Sequence, residues 1–418
     1  MTNNRFNARL NFSSEIYPDI IRLISEIDSL KTAFKVQSHL SPQIIDRLTQ
    51  SVLITSAGSS TRIEGSLMSD EDVKSLYKKL RIQKFKTRDE QEVAGYLETL
   101  SLVFETWKGI KFNENVIKQL HSLVLKYSAK DSRHKGNYKF QNNKVQATDH
   151  QGNVVQVIFE PTPPYLVPKE MQELMDWLHQ ELKGRQHPLL LIANFLFEFL
   201  AIHPFEDGNG RTSRILTNLL LLQAGYEFTP FVSHEKIVES NKIQYYQALN
   251  FTQITWKTDK EDMSKWVVFF LEVVKKQATR AVELITKNIE FEAFLSPAQL
   301  KVWEVLKGGQ EMSRSEIKKQ INIPLPTIRQ ALAKLLEMNK IELKGQGRAS
   351  RYVVKDLNLL SLESVISYPE EDQAEKDWNT SGLRQMAHWA KEDGDDQADW
   401  DLSKLKPTPP LPKNLSEK

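Results

Sequence analysis

The residues best suited to chemistry stand in one run: His203-Pro204-Phe205-Glu206-Asp207-Gly208-Asn209-Gly210-Arg211-Thr212-Ser213-Arg214. Each type fits a different part of a reaction on phosphate. His203, with an ordinary pKa of about 6.5, suits a general base near neutral pH. Asp207 offers a hard oxygen ligand for Mg²⁺, which would neutralise charge on bound phosphates. Gly208 and Gly210 can both take positive φ, so N–H groups around Asn209 can converge into an anion-binding nest. The nest opens a helix, whose free N–H groups and positive dipole end also favour phosphate. Arg211 and Arg214, three residues apart, share a helical face and can grip one polyphosphate. Gly-Asn-Gly alone would be an ordinary helix connector. A base, an oxygen ligand, a nest and two arginines within twelve residues point instead to phosphoryl or nucleotidyl transfer.

Two strongly apolar helices must hold this run, one ending near Ile202 and one running from about Arg211 to Ala224. Most of the first 295 residues share that character. Ile20, Leu23, Ile24 and Ile27, then Ile44, Ile45, Leu48, Val52 and Leu53, recur at the amphipathic helical spacing. Val154–Phe159, preceded by the turn cluster Asp149–Asn153, predicts a β-hairpin that Glu160–Pro164 stops. Helices resume over Met171–Leu182 and His187–Ile202.

At 418 residues the chain has room for two or three domains, given about 150 residues each. The reading is N-terminal helices over 1–50, a catalytic core over 51–275, a connecting helix over 276–295, a small basic unit over 296–356 and a tail over 357–418. Composition that is 40% hydrophobic and 26% charged is that of a soluble globular protein. The absence of cysteine excludes disulfides, thiolate metal sites and a cysteine nucleophile. Met1–Glu15 shows no secretory signal, and Leu189–Ile202 falls short of the roughly 20 apolar residues that a bilayer requires. A cytoplasmic protein without a membrane partner is expected.

A second motif lies upstream, Ser60-Thr61-Arg62-Ile63-Glu64-Gly65. Ser60 and Glu64 share a helical face, and Gly65 is a natural helix stop. A carboxylate in a last helical turn faces the unfavourable end of the dipole. That fits an arginine partner, although a solvated surface Glu before Gly has the same pattern.

The 203–214 run resembles the signature of the Fic (Fic/DOC) family, His-Pro-Phe-x-Asp/Glu-Gly-Asn-Gly-Arg-x-x-Arg, at every fixed position. The resemblance extends over about residues 50–275. It implies a mainly α fold, a helical Fic-type core with a small β-hairpin flap, and an enzyme that moves AMP from ATP onto a Ser, Thr or Tyr hydroxyl of a target protein. By that resemblance His203 is the base and Asp207 holds Mg²⁺. Gly208, Asn209 and Gly210 cradle the phosphates, with Arg211 and Arg214 at the β/γ end. Tyr245 and Tyr246 correspond to a tyrosine pair near the nucleotide, though two core-packed aromatics would look the same. The flap would align the target as an added strand. Ser60 and Glu64 resemble the family's inhibitory helix, near 55–65, whose Glu pairs with the second arginine, here Arg214. Lys139 in Gly136-Asn137-Tyr138-Lys139 stands where relatives usually carry Arg, a departure that would touch only a peripheral contact. Glycine at both 208 and 210 separates this loop from the Doc-type kinase variant.

Residues 296–355, with net charge +7, read as a winged helix–turn–helix. Its candidate recognition helix, Pro326–Met338, bears Thr327, Arg329, Gln330 and Lys334, and its wing bears Lys344, Arg348 and Arg351. Duplex DNA is the favoured partner, with dimerisation or protein docking as alternatives; a homodimer is compatible with the sequence. Residues 356–418 carry −7 and end in a Pro-rich stretch, composition that predicts a largely disordered tail. Two other functions fit the same residues: removal of AMP from modified proteins, and a DNA-binding regulator whose core senses nucleotide.

Overall fold

The elements of the computed structural model follow in the order α1 (Arg5–Ala8), α2 (Tyr17–Gln37), α3 (Pro42–Ile63), α4 (Asp70–Lys79), α5 (Arg88–Thr106), α6 (Glu114–Val124), β1 (Val145–Thr148), β2 (Val154–Phe159), α7 (Val167–Glu181), α8 (Pro188–Ile202), α9 (Asn209–Gln223), α10 (His234–Ser240), α11 (Lys242–Ile254), α12 (Ser264–Ala293), α13 (Pro297–Leu306), α14 (Arg314–Gln320), α15 (Leu325–Glu337), β3 (Ile341–Lys344) and β4 (Arg351–Val354). The structure describes residues 5–355 apart from 38–41, 81–84, 129, 132, 144, 149–153, 294, 308–309, 346 and 348–349. The turn expected over 149–153, Arg348 and the tail over 357–418 therefore lie outside the described residues.

The fold is mainly helical, and its organisation follows from two helices that are buried on nearly every side. Every residue of α8 from Leu191 to Ile202 is buried, and so is α9 from Asn209 to Leu222. α8, apolar on nearly all sides, must be surrounded, whereas α9 buries polar side chains that meet partners, among them Arg211, Arg214 and Asn218. α8 is covered by α7 and α12, and α9 by α5 and α6, while α8 and α9 pack on each other. The 203–208 loop that joins them is thereby held at the centre of the core. Amphipathic helices form the outer shell. Ile20, Leu23 and Ile27 of α2 are buried along α12, as the spacing predicts, and Leu48, Val52 and Leu53 of α3 are buried too, whereas Ile45 is exposed. α12 runs unbroken through position 275 and α3 through position 50, so neither boundary read from the sequence coincides with a helix end.

β1 and β2 pair antiparallel from Val145↔Phe159 to Thr148↔Val154, the hairpin expected from the sequence, with two register shifts along it. Its base is pinned by Phe159 against Trp256, with ring centroids 5.3 Å apart.

Residues 295–355 bury a core of their own, including Val302, Trp303, Leu306, Ile328, Leu332, Leu335 and Tyr352. Ser296 and Ser313 each close a capping box, with Gln299 and Glu316. β3 and β4 form an antiparallel pair, and Met312 bridges Tyr352. Among the described residues no helix is long and apolar enough to cross a membrane.

Candidate active site

His203 caps the C-terminus of α8 in the left-handed conformation, φ 52°, and its N–H closes on the Phe199 carbonyl at 3.0 Å. The loop after it is braced from three directions. Phe205 is fully buried and stacks on His121, with centroids 3.7 Å apart and planes 4° from parallel. His121 accepts from the Gly136 N–H at Nδ1, so its Nε2–H donates to the Asp207 carbonyl at 2.9 Å. The Asn209 amide brackets Phe205, accepting from its N–H at 2.9 Å and donating to its carbonyl at 2.8 Å. The Asn209 side chain is thus spent on loop shape, and only its backbone is left for a phosphate.

Gly208 takes φ 78° and caps α9, which starts at Asn209, two residues earlier than the sequence suggested. Gly210, expected at positive φ, is helical instead. A Cβ there would stand 2.4 Å from Glu64 Oε1 and 3.2 Å from Arg214 Nη1, so a larger residue would displace the Glu64 carboxylate, and the glycine answers to close approach rather than to φ. The nest of the sequence reading reduces to one left-handed residue followed by a helix start. The first-turn N–H groups of α9 have no intrahelical acceptor and keep the anion-binding character of a helix N-terminus.

The charges around this start are buried and paired with one another. Arg211, 1% exposed, meets Asp207 at 2.9 Å, Glu64 at 3.0 Å and Glu92 at 3.3 Å. Arg214 donates to the Ser60 hydroxyl at 2.8 Å, the Ser60 carbonyl at 2.9 Å and the Glu64 carboxylate. The Ser60/Glu64 face therefore meets Arg214 as the resemblance implied, and Glu64 holds Arg211 as well. Thr61 accepts from the N–H groups of Glu64 and Ser66 around Gly65 (φ 101°), which ends α3 and directs Glu64 inward. Burial pushes the Glu64 carboxyl up, against the pull of Arg214 and Arg211. Burial also opposes ionisation of Asp207, but Arg211 and Arg88 outweigh it and hold that carboxyl below its usual range.

His203 is not near its ordinary pKa. Burial, reinforced by the Lys139 charge, pushes the ring down to about 3, so it is neutral at physiological pH. Its Nδ1 faces the Leu200 carbonyl at 3.3 Å, and its buried Nε2 has no hydrogen-bond partner among the described residues.

Several residues of the site were missed in the sequence. Arg88 lies 3.2 Å from Asp207 and 2.6 Å from Glu92. Both stand on α5, far from the motif in the chain, and only their i,i+4 spacing was visible. His121 sits on the apolar face of α6 beside Ile117, Leu120 and Val124, a pattern that any core histidine would share. Glu206 is buried against His134 at 2.8 Å and braces the loop. Lys139 corrects the expectation of a peripheral contact: it is 4% exposed, and its Nζ reaches Asn143 at 2.7 Å and the Ile202 carbonyl at 3.3 Å. Tyr245 packs on Trp266 and Phe269 with its hydroxyl toward Arg214, and Tyr246 donates weakly to the Ile63 carbonyl at 3.4 Å. The pair thus combines core packing with a place beside Glu64 and Arg214. Among the described residues no three His, Asp or Glu side chains gather as a metal site.

Residues 111–221 match the family described as Fic/DOC. A protein adenylyltransferase Fic from Drosophila willistoni is 35% identical over 106 residues, 25% of this chain and 19% of that protein. One from Nematostella vectensis is 29% identical over 196 residues, 46% of this chain and 41% of that protein. The chain thus matches less than half the length of these curated relatives. Among solved structures, a Fic family protein from Desulfovibrio desulfuricans G20 superposes with a TM-score of 0.52 at 21% identity, covering 81% of this chain and 96% of its own. Fic-1 from C. elegans gives 0.50 at 18% identity, covering 64% and 74%. At these identities the likeness is one of fold.

Proposed function

We propose, from the match of residues 111–221 to the Fic/DOC family, that this chain belongs to that family and moves AMP from ATP to a Ser, Thr or Tyr hydroxyl of a target protein. The hydroxyl oxygen bonds to the α-phosphorus, the bond to the β-phosphate oxygen breaks, and pyrophosphate leaves. Nε2 of His203 takes the hydroxyl proton. A neutral ring with an open lone pair is what the step requires, and the negative charge of a bound triphosphate raises its basicity from the level set by burial. The first turn of α9 and the guanidiniums of Arg211 and Arg214 hold the phosphates. Mg²⁺ would add charge neutralisation on the phosphates. Asp207 fits it as a single carboxylate shared with phosphate oxygens, once Arg88 and Arg211 yield part of their hold.

The observation that carries the reading is the open Nε2 of His203 at the start of a loop that ends in two buried arginines. It also carries a regulatory reading. Glu64 occupies both guanidiniums, so the resting site is autoinhibited and ATP meets arginines already engaged. A second activity has its own support: the raised Glu64 carboxyl could position water for removal of AMP from a modified protein. The C-terminal unit is read as a winged helix that binds duplex DNA, with Arg329 and Gln330 exposed on α15.

Intact-mass measurement after incubating Glu64→Gly with ATP and Mg²⁺ tests transfer directly. An added AMP on the chain or on an offered protein is expected. No adduct on any protein, with ATP still bound, would leave the nucleotide-sensing regulator as the better reading.

A further inference from the structure

The residue that would take the proton sits in a conformation that side chains with a Cβ avoid. His203 has φ 52°, and such a turn persists only where its surroundings over-determine it. α8 supplies the contact from the His203 N–H to Phe199 and faces Nδ1 with the Leu200 carbonyl, and Asn209 holds Phe205 from α9. Further contacts come from a short stretch ahead of the hairpin. The Lys139 N–H donates to the Pro204 carbonyl at 2.9 Å, and Lys139 Nζ donates to the Ile202 carbonyl at 3.3 Å. One residue therefore holds the carbonyls immediately before and after His203. Asn143 accepts from Lys139 Nζ at 2.7 Å and donates to the next carbonyl, Phe205, at 3.3 Å. Lys139 is 4% exposed and Asn143 6%.

We infer that Lys139 and Asn143 are positioning residues for His203: by clamping the carbonyls of Ile202, Pro204 and Phe205 they fix the left-handed turn that orients Nε2. The effect on rate rests on the transfer reading above; the clamp on the ring does not. Among the described residues Lys139 hydrogen-bonds to no carboxylate, and burying an ammonium is costly. Burial brings it down to about 7, with Glu170 opposing and Lys257 assisting. A hydrophobic residue would fill the same space without that cost, so the retained amine points to what its donors and its charge do. The charged groups acting on the His203 ring are Lys139, which disfavours protonation, and Asp207, which favours it.

The test uses the whole chain with ¹⁵N-labelled histidine and no nucleotide, following the His203 ring against pH, with His203→Gln for assignment. The wild-type ring should stay neutral, with its proton on Nδ1, from about pH 5 to 8. Lys139→Met should move its titration upward by about one unit, and Lys139→Arg should restore the wild-type behaviour. In a Glu64→Gly background, Lys139→Met should lower kcat about tenfold with KM for ATP unchanged, because the base is misaimed while the phosphate site is intact. Asn143→Ala should lower kcat without moving the ring's titration, since it removes a clamp but no charge. A folded Lys139→Met chain with wild-type ring titration and wild-type kcat overturns the inference, as does failure of Lys139→Arg to restore either. Should Lys139→Met not fold, an unchanged kcat in Asn143→Ala overturns it. A Glu64→Gly parent that transfers no AMP refutes the transfer reading instead, and the ring tautomer then decides the clamp: the proton should stay on Nδ1, facing the Leu200 carbonyl, in the wild type and become mixed between the nitrogens in Asn143→Ala, an unchanged tautomer overturning the inference.

Discussion

Two regions of this chain are rich in arginine and lysine, and they handle charge in opposite ways. At the start of α9 the side chains of Arg211 and Arg214 are 1% and 4% exposed, and each is matched to buried carboxylates. In the C-terminal unit the pairs Lys334–Glu337 and Lys344–Glu311 lie about half exposed or more. Buried charges cost several kcal/mol each to desolvate, so they persist only in a defined geometry. Exposed ones cost little and fix little. Residue identity at the first site therefore specifies chemistry, whereas at the second only the summed charge carries information.

The largest expected effect lies in the buried region. His203→Ala should lower AMP transfer by about a hundred- to ten-thousandfold, the usual cost of removing a general base. ATP binding, measured by calorimetry, should be nearly unchanged, because α9 and the arginines hold the phosphates. Transfer within a few-fold of the parent would remove His203 from the chemistry. Loss of ATP binding would move it into the nucleotide site.

The same contrast explains what was legible in the sequence. The 203–214 run could be read because its members are close in the chain, and helix periodicity converts that spacing into shared faces. Helix α15, expected over Pro326–Met338, and the hairpin strand Val154–Phe159 were readable for the same local reason. Arg88, Glu92 and His121 were not, because each reaches the site only through the packing of α5 and α6 on α9. Their local patterns, an i,i+4 ion pair and an amphipathic face, occur on many helices that do no chemistry. Gly210 shows the limit within the motif itself. Its type was read as freedom in φ, but it answers to the Glu64 carboxylate, 146 positions earlier in the chain. Lys139 was underrated for a related reason: nothing local shows that it lies against His203.

The next effect tests whether the buried charges form a switch or only a scaffold. Glu64→Gly should raise transfer about ten- to hundredfold, the equivalent of freeing one charge-assisted hydrogen bond per arginine. Adding Arg214→Ala should erase the gain, since the benefit passes through that guanidinium. Lower transfer in Glu64→Gly, or an equal rise with Arg214 absent, would make Glu64 a structural counter-ion. If the same variant instead loses AMP removal from a pre-modified protein, Glu64 belongs to a hydrolytic site.

The smallest effect belongs to the exposed region, where no single residue should dominate. If the C-terminal unit meets duplex DNA through phosphates, fluorescence anisotropy with the full chain should show affinity falling steeply between about 50 and 200 mM salt. Arg329→Gln, on the exposed face of α15, should weaken binding to every duplex alike and reduce the salt slope by about one. Lys334→Gln should do less, because Glu337 lies 3.0 Å from its ammonium and already screens it. A sequence-selective loss at Arg329 would mean that α15 reads base edges, and the contrast would soften: one exposed residue would then carry specific information. Absence of binding to any duplex at low salt would assign the basic face to docking with a protein. In that case the charge excess would be a solvated surface, and the specificity of the whole chain would lie in its buried half.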